Sequence, residues 1–210
     1  MKTRRFLLII AIVLICSCLL CDFSVTEAKT KKIPKQLLKF ETSLFNGMKK
    51  LDYKKMNKYI ISGKLKKDNS SFALMIFLKE KAKKINYKVI SNSVSGKSAT
   101  AKVQFKYLDC SQVGELLISY LVIEQFSHMG EDEYMEGGSK YDELIRKCVR
   151  KAIKDAKCNK YKNVTIKLKF KKSGSLWKVK KFDDKLSDVM LSGFISGSNK
   201  AIEEMNMDEK

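Results

Sequence analysis

Two stretches of the chain alternate between apolar and polar residues, the pattern of β-strands that bury one face. In the C-terminal stretch, the apolar positions are Val164, Ile166, Leu168 and Phe170. A turn at residues 173–174 follows, and the chain then returns as a second strand. The other stretch lies at residues 87–107 and turns at residues 95–96. The sequence therefore predicts two long hairpins, at about residues 86–109 and 162–182.

Apolar residues at helical spacing predict helices before the first hairpin. The first helix follows Pro34 and presents on one side Ile33, Leu37, Phe40, Leu44 and Met48. A short second helix, capped by Asp52, is expected to end at Gly63. A third is expected to start at residues 69–71 and to run to Ile85. The N-terminal part of the fold is therefore predicted to be helical.

The segment between the hairpins, residues 111–157, has the pattern of a helical insert. Its first half, residues 112–126, is apolar nearly all round, so it should be the most buried helix of the fold. A second helix follows from Lys140, and a last apolar segment lies at residues 186–195. The polar tail, at about residues 199–210, is expected to fray.

Five aromatic residues on the predicted helices and strands are expected to belong to the core. They would line an apolar ligand cavity if the sheet curled around a void. These residues are Phe40, Phe105, Tyr107, Phe170 and Trp177.

Residues 1–28 have the pattern of a secretory signal peptide. A short basic start precedes the apolar run at residues 6–21, which as a helix spans about 24 Å, less than the roughly 30 Å of a membrane core. Cleavage between Ala28 and Lys29 would release a secreted protein, because small residues precede that bond at the required spacing. The alternatives are a retained N-terminal anchor and a bacterial lipoprotein that carries its lipid on Cys18. Each places the folded part outside the cell membrane.

The chain has a net charge of +20 at pH 7, and removal of residues 1–28 lowers it by one, since three positive and two negative charges leave. Such an excess attracts anionic polymers or membrane surfaces. Nucleic acid is not an expected partner, because the protein is exported and only Arg146 and Arg150 accompany the lysines after residue 28. The alternative is that a lysine-rich surface only keeps the protein solvated.

Three cysteines follow the signal peptide: Cys110, Cys148 and Cys158. A helix from Cys148 to Cys158 would span about 15 Å, whereas bridged Cα atoms lie within about 7 Å. Cys110 and Cys158 stand instead at the two ends of the helical insert. The sequence predicts a disulfide between them in an oxidising compartment. The alternative is three isolated buried cysteines.

Motifs for catalysis or metal binding give little support for an enzyme. His128 is the only histidine, and no Gly-rich phosphate loop, Cys-x-x-Cys pair or histidine-based metal spacing occurs after residue 28. The acidic residues at 131–136 could bind calcium, but a solvated acidic turn is the expected structure. No catalytic, cofactor-binding or metal-binding residue is therefore predicted, and no cofactor.

The order of helices and hairpins resembles the nuclear transport factor 2-like (cystatin-like) superfamily, in particular small domains of unknown function in secreted proteins and lipoproteins of Gram-positive bacteria. The similar segments are residues 44–53, 93–107, 173–179 and 186–194. The resemblance implies an α+β fold whose N-terminal helices pack on a strongly bent antiparallel sheet that forms a cone. The length of the chain predicts a single domain, residues 29–210. Enzymes of this shape place acid and base residues in the cone, but the chain has no matching Asp/His pair.

These features predict an exported, non-enzymatic domain of the bacterial cell envelope. It would bind a peptide, a lipid or an anionic wall polymer, in the cone or on a lysine-rich outer face. One alternative is a small enzyme of the same fold that acts on an apolar substrate, which requires a cavity with a buried carboxylate or tyrosine. Another is a structural or assembly protein.

Overall fold

A computed structural model of the chain describes residues 33–62, 65, 72–136 and 138–207. These ranges contain seven α-helices: α1 (Lys35–Lys50), α2 (Tyr53–Asn57), α3 (Phe72–Ala82), α4 (Ser111–Ser127), α5 (Tyr141–Asp155), α6 (Asp184–Met190) and α7 (Phe194–Met207). They also contain five strands: β1 (Ile60–Ser62), β2 (Asn86–Ser95), β3 (Ser98–Leu108), β4 (Tyr161–Ser173) and β5 (Leu176–Lys181). All of these elements belong to one compact unit, Ile33–Lys210.

Several predictions fall on residues outside those ranges. They are the signal peptide with its cleavage site at Ala28 and Lys29, the lipid-carrying Cys18 and the helix start at residues 69–71. These stay predictions.

The five strands form one sheet in the order β1-β5-β4-β3-β2. Both predicted hairpins are present, as β2–β3 and β4–β5, and antiparallel pairing of β3 with β4 joins them. The β3–β4 pair runs unbroken from Ser98 opposite Lys171 to Leu108 opposite Tyr161. The alternating sequence fixes this register, because a slip of one residue would move every apolar side chain to the solvent side.

Helix α1 covers one face of the sheet and forms the main core with it. The helix begins directly after Pro34, as predicted. Phe40 packs edge to face on Phe170, and Phe45 on Phe105, with ring centroids 5.2 and 5.4 Å apart. The opposite face is left to solvent, since β3 and β4 alternate buried and exposed residues along their length.

The sheet is open and is not strongly curled, so the strongly bent sheet implied by the family resemblance is wrong. Strong curvature is introduced by β-bulges and glycine kinks. The central strands β3 and β4 contain no glycine and pair without a bulge, and the register shift of the first hairpin lies near the sheet edge, between Val89 and Ser91. The central strands therefore lack the features that would bend them into a cone.

The sheet is also not wholly antiparallel, because β1 pairs with β5 in the parallel direction. The sequence pattern continues a helix to Gly63, but α2 ends at Asn57. The backbone N–H of Val179 donates to the carbonyl of Tyr59 at 2.8 Å, and that of Phe182 to the carbonyl of Ser62 at 3.2 Å. Without β1, the outer edge of β5 would expose unpaired backbone groups.

The helical insert forms a second, smaller core between α4 and α5. Its buried residues are Cys110, Val113, Leu117, Leu144, Cys148, Val149 and Ala152. Helix α4 also packs closely on α7, where a Cβ atom added at Gly197 would overlap the carbonyl group of Ser111.

The prediction that α4 is the most buried helix is wrong. Its buried residues are Val113, Gly114 and Leu117, whereas α1 buries seven. Phe126 of α4 is 70% exposed and Ile123 is 62% exposed. Helix α4 is therefore apolar because it packs against two neighbours, α5 and α7, and it is not buried on all sides.

Two helices, α6 and α7, follow the second hairpin and are the last elements that the structure describes. Asp183 caps α6, because its Oδ1 accepts a hydrogen bond from the backbone N–H of Leu186 at 3.0 Å. Helix α7 continues to Met207, so residues 199–207 of the predicted tail are helical in the structure.

Candidate functional site

The solvent side of the sheet carries eight lysines and no acidic residue. This surface, here called the lysine face, consists of Lys88, Lys102, Lys106, Lys167, Lys169, Lys171, Lys178 and Lys180. The alternation that buries the apolar residues of each strand places the lysines together on the other side. All 23 acidic residues of the chain lie outside the five strands. The strands therefore bring only positive side chains to this face.

Lysines stand directly opposite each other on the lysine face. Lys102 of β3 pairs with Lys167 of β4, and Lys171 of β4 pairs with Lys178 of β5. Like charges at directly opposed positions destabilise a sheet. None of the six ion pairs found between described residues involves a lysine of this face. The face therefore keeps its positive charge at some cost in stability.

A shallow depression of about 500 Å³ crosses β2, β3 and β4 on the lysine face. It is lined by Ser91, Asn92, Ser93, Thr100, Lys102, Thr165 and Lys167. Four hydroxyl groups and two ammonium groups can donate hydrogen bonds there, whereas the Asn92 amide donates to Glu41 on the core side, and no carboxylate is part of the lining. The lining therefore suits the oxygen atoms of a phosphate, sulfate or carboxylate group.

The five aromatic residues predicted as core or cavity lining are all buried. Their exposed fractions are at most 5%: Phe40, Phe105, Tyr107, Phe170 and Trp177. Side chains of α1 occupy the space beneath Phe105 and Phe170. Phe40 and Trp177 also border a shallow depression of about 260 Å³ beside Tyr59. Packing of α1 against the sheet therefore accounts for the burial of the central rings.

Glu41 of α1 is a buried carboxylate that the sequence patterns did not single out. It is 2% exposed, and its Oε2 accepts a hydrogen bond from Asn92 Nδ2 at 3.2 Å. Glu41 Oε1 and Asn92 Oδ1 have no hydrogen-bond partner among the described residues. Burial raises the pKa of Glu41 above its ordinary value. The sequence could have indicated this burial, because Glu41 lies four residues from both Leu37 and Phe45, on the buried side of the helix.

The residues around His128 form a polar cluster beside the insert. The His128 ring stacks on Tyr134 with centroids 3.7 Å apart, and its Nδ1 lies 3.2 Å from Glu131 Oε1. Glu133 of the predicted acidic turn pairs with Lys140. In the part of the chain that the structure describes, no three His, Cys, Asp or Glu side chains are grouped as a metal site.

Cys110 and Cys158, the predicted disulfide partners, meet at the base of the insert. Their side chains interact through a hydrogen bond, and both are free thiols in the structure. Cys148 is buried in α5 within the smaller core.

Among the helices that the structure describes, none has the length and apolar character needed to cross a membrane. Comparison of the chain with protein-family models, with curated proteins and with solved structures found no match.

Proposed function

We propose that the protein is an exported, non-enzymatic domain of the cell envelope that binds an anionic polymer through the lysine face. The observation that carries this proposal is the segregation of eight lysines, without any carboxylate, on one solvent-exposed side of the sheet. A surface that only maintains solubility normally mixes both signs of charge. The cross-strand lysine pairs oppose the stability of the sheet, so a binding role gives a reason for their presence.

The spacing of the lysines favours a ligand with repeated charges. Successive outward residues of one strand lie roughly 6.8 Å apart, so Lys167, Lys169 and Lys171 form a regular row. The neighbouring strand, about 4.8 Å away, supplies Lys102 beside that row. The hydroxyl groups of the central depression add donors for phosphate or polyol oxygens. We therefore propose a polyol-phosphate or sugar-phosphate polymer as the ligand class.

The resemblance to nuclear transport factor 2-like domains is part of the proposal only for the order of elements. A helix precedes two hairpins, the second turn contains Gly174 and is followed by Trp177, and helices close the domain. The export route belongs to the proposal as well, since an anionic wall polymer is met only outside the cell membrane.

The test measures binding of a fluorescent poly(glycerol phosphate) chain to the purified protein by anisotropy, over a range of salt concentrations. The site variant is Lys102→Gln with Lys167→Gln. At about 1 kcal/mol for each lysine at an anionic surface, we expect a roughly 30-fold loss of affinity at low salt. The salt dependence of the binding constant should also become shallower, because fewer counterions are released.

The matched control is Lys154→Gln with Lys185→Gln, which removes the same charge from exposed positions of α5 and α6. It should lose less than about threefold. Equal losses in the two variants would show a nonspecific effect of net charge and would refute the lysine face as the site. Stronger binding to phosphatidylglycerol vesicles than to the polymer, with the same dependence on Lys102 and Lys167, would reassign the ligand to a lipid surface.

A further inference from the structure

The chain segments that lead into and out of the helical insert, residues 108–112 and 157–161, lie side by side and are here called the neck. Strand β3 ends at Leu108, which pairs with Tyr161 at the start of β4. Just beyond that pair, the backbone N–H of Asp109 donates to the carbonyl of Lys160 at 2.8 Å. On the insert side, the backbone N–H of Lys157 donates to Gln112 Oε1 at 2.7 Å. Hydrogen bonds therefore hold the two chain segments together on both sides of Cys110 and Cys158.

The two thiols at this neck differ in access to solvent. Cys110 is fully buried and belongs to the smaller core, whereas Cys158 is partly exposed and packs against that core. The side chains of Cys110 and Cys158 are hydrogen-bonded to each other, so the two thiols are neighbours at the base of the insert. Cys148 lies on α5, ten residues before Cys158, and is buried among apolar side chains.

We propose that Cys110 and Cys158 are a thiol pair that oxidises to a disulfide and so closes the base of the helical insert, while Cys148 stays reduced. This inference does not depend on the lysine face. It rests on the hydrogen bond between the two cysteine side chains and on the hydrogen bonds that join the flanking chain segments.

The oxidant is a disulfide, either a small molecule or a thiol–disulfide oxidoreductase. The Cys158 thiolate attacks one sulfur of the oxidant, whose S–S bond breaks and releases one thiolate. The Cys110 sulfur, after loss of its proton, then attacks Cys158 in the mixed disulfide and releases the second thiolate. The protein gives up two electrons and two protons, and the oxidant becomes two thiols.

The surroundings assign these roles. The hydrogen bond from Cys110, together with the nearby Lys81 ammonium, lowers the pKa of Cys158. The same hydrogen bond, with burial, raises the pKa of Cys110. Cys158 is also the more accessible thiol, so it attacks the oxidant, and the buried Cys110 resolves the mixed disulfide from inside the fold.

The test uses the purified full chain, incubated with oxidised glutathione, then unfolded in concentrated urea that contains N-ethylmaleimide, so that the buried thiols also react, and digested with trypsin without reduction. Lysine or arginine residues separate Cys110, Cys148 and Cys158 from one another and from the three cysteines of residues 1–28, so each of these three falls in its own peptide. We expect one linked peptide that contains Cys110 and Cys158, and an alkylated Cys148. The oxidised chain should melt at a higher temperature than the reduced chain, and dithiothreitol should reverse the shift.

Two variants complete the experiment. Cys148→Ser should keep both the linked peptide and the thermal shift. Cys158→Ser, which changes the partly exposed thiol, should lose both and leave Cys110 alkylated. Alkylation of Cys110 and Cys158 after oxidation, a lasting glutathione adduct on Cys158, or a linked peptide that contains Cys148 would each overturn the proposal.

Discussion

Replacement of Glu41 by glutamine is predicted to stabilise the protein at neutral pH. In the native chain, Glu41 Oε1 and Asn92 Oδ1 are buried and lack hydrogen-bond partners among the described residues. A glutamine can keep the existing bond, because its Oε1 still accepts from Asn92 Nδ2, and its own amide can donate to Asn92 Oδ1. The substitution also removes a buried charge.

The size of the effect follows from these contacts. A satisfied hydrogen bond contributes about 1 kcal/mol, and an unsatisfied buried group costs about 1–3 kcal/mol. We therefore expect Glu41→Gln to raise the free energy of unfolding by about 1–3 kcal/mol at pH 7.5. Glu203→Gln, at an exposed position of α7, is the control and should change it by less than about 0.5 kcal/mol.

The gain should depend on pH with a defined sign. The folded-state pKa of Glu41 lies above the ordinary value of 4.5, so between the two values the folded chain binds more protons than the unfolded chain. The stabilisation from protonation is thus complete below about pH 4.5 and is lost as the pH rises through the folded-state pKa. The advantage of the glutamine variant should therefore shrink on acidification.

Urea denaturation at pH 7.5 and at pH 4 measures both effects. The single tryptophan, Trp177, is 2% exposed and reports unfolding by its fluorescence. A glutamine variant that is no more stable than the native chain at pH 7.5 would refute the reasoning. An advantage that is equally large at pH 4, below the ordinary value of 4.5, would refute the part that assigns it to the carboxylate charge.

Three further predictions concern packing and the thiol pair. Gly197→Ala should lower the free energy of unfolding by about 1–3 kcal/mol, because the added methyl group meets the backbone of Ser111; unchanged urea unfolding would contradict this packing. Phe170→Ala should lower it by about 3–5 kcal/mol, whereas Ala at the adjacent, solvent-facing Lys169 should have little effect, and similar losses at both would contradict the assigned faces. Oxidation of Cys110 and Cys158 should raise it by roughly 4 kcal/mol in the chain-entropy account of a closed loop, and equal urea midpoints of the oxidised and reduced chains would contradict that value.

Local pattern determined the hairpins and the first helix. The alternation of apolar and polar residues at 163–171 specifies a strand with one buried and one solvent-exposed face. The residues at 95–96 and 173–174 specify tight turns. The same alternation placed lysines on the outer side of the sheet. These features depend on neighbours in the sequence, so the sequence alone was enough to predict them.

Partners that are distant in the chain decided the rest. Ile60–Ser62 became a strand because the edge of β5, more than a hundred residues later, required backbone partners. The opposition of Lys102 and Lys167 depends on which hairpin edges meet, and the pairing of Glu41 with Asn92 depends on where α1 lies across the sheet. The openness of the sheet reflects the absence of bulges in its central pair. Each of these features arises from a tertiary contact, for which the local sequence pattern carries no signal.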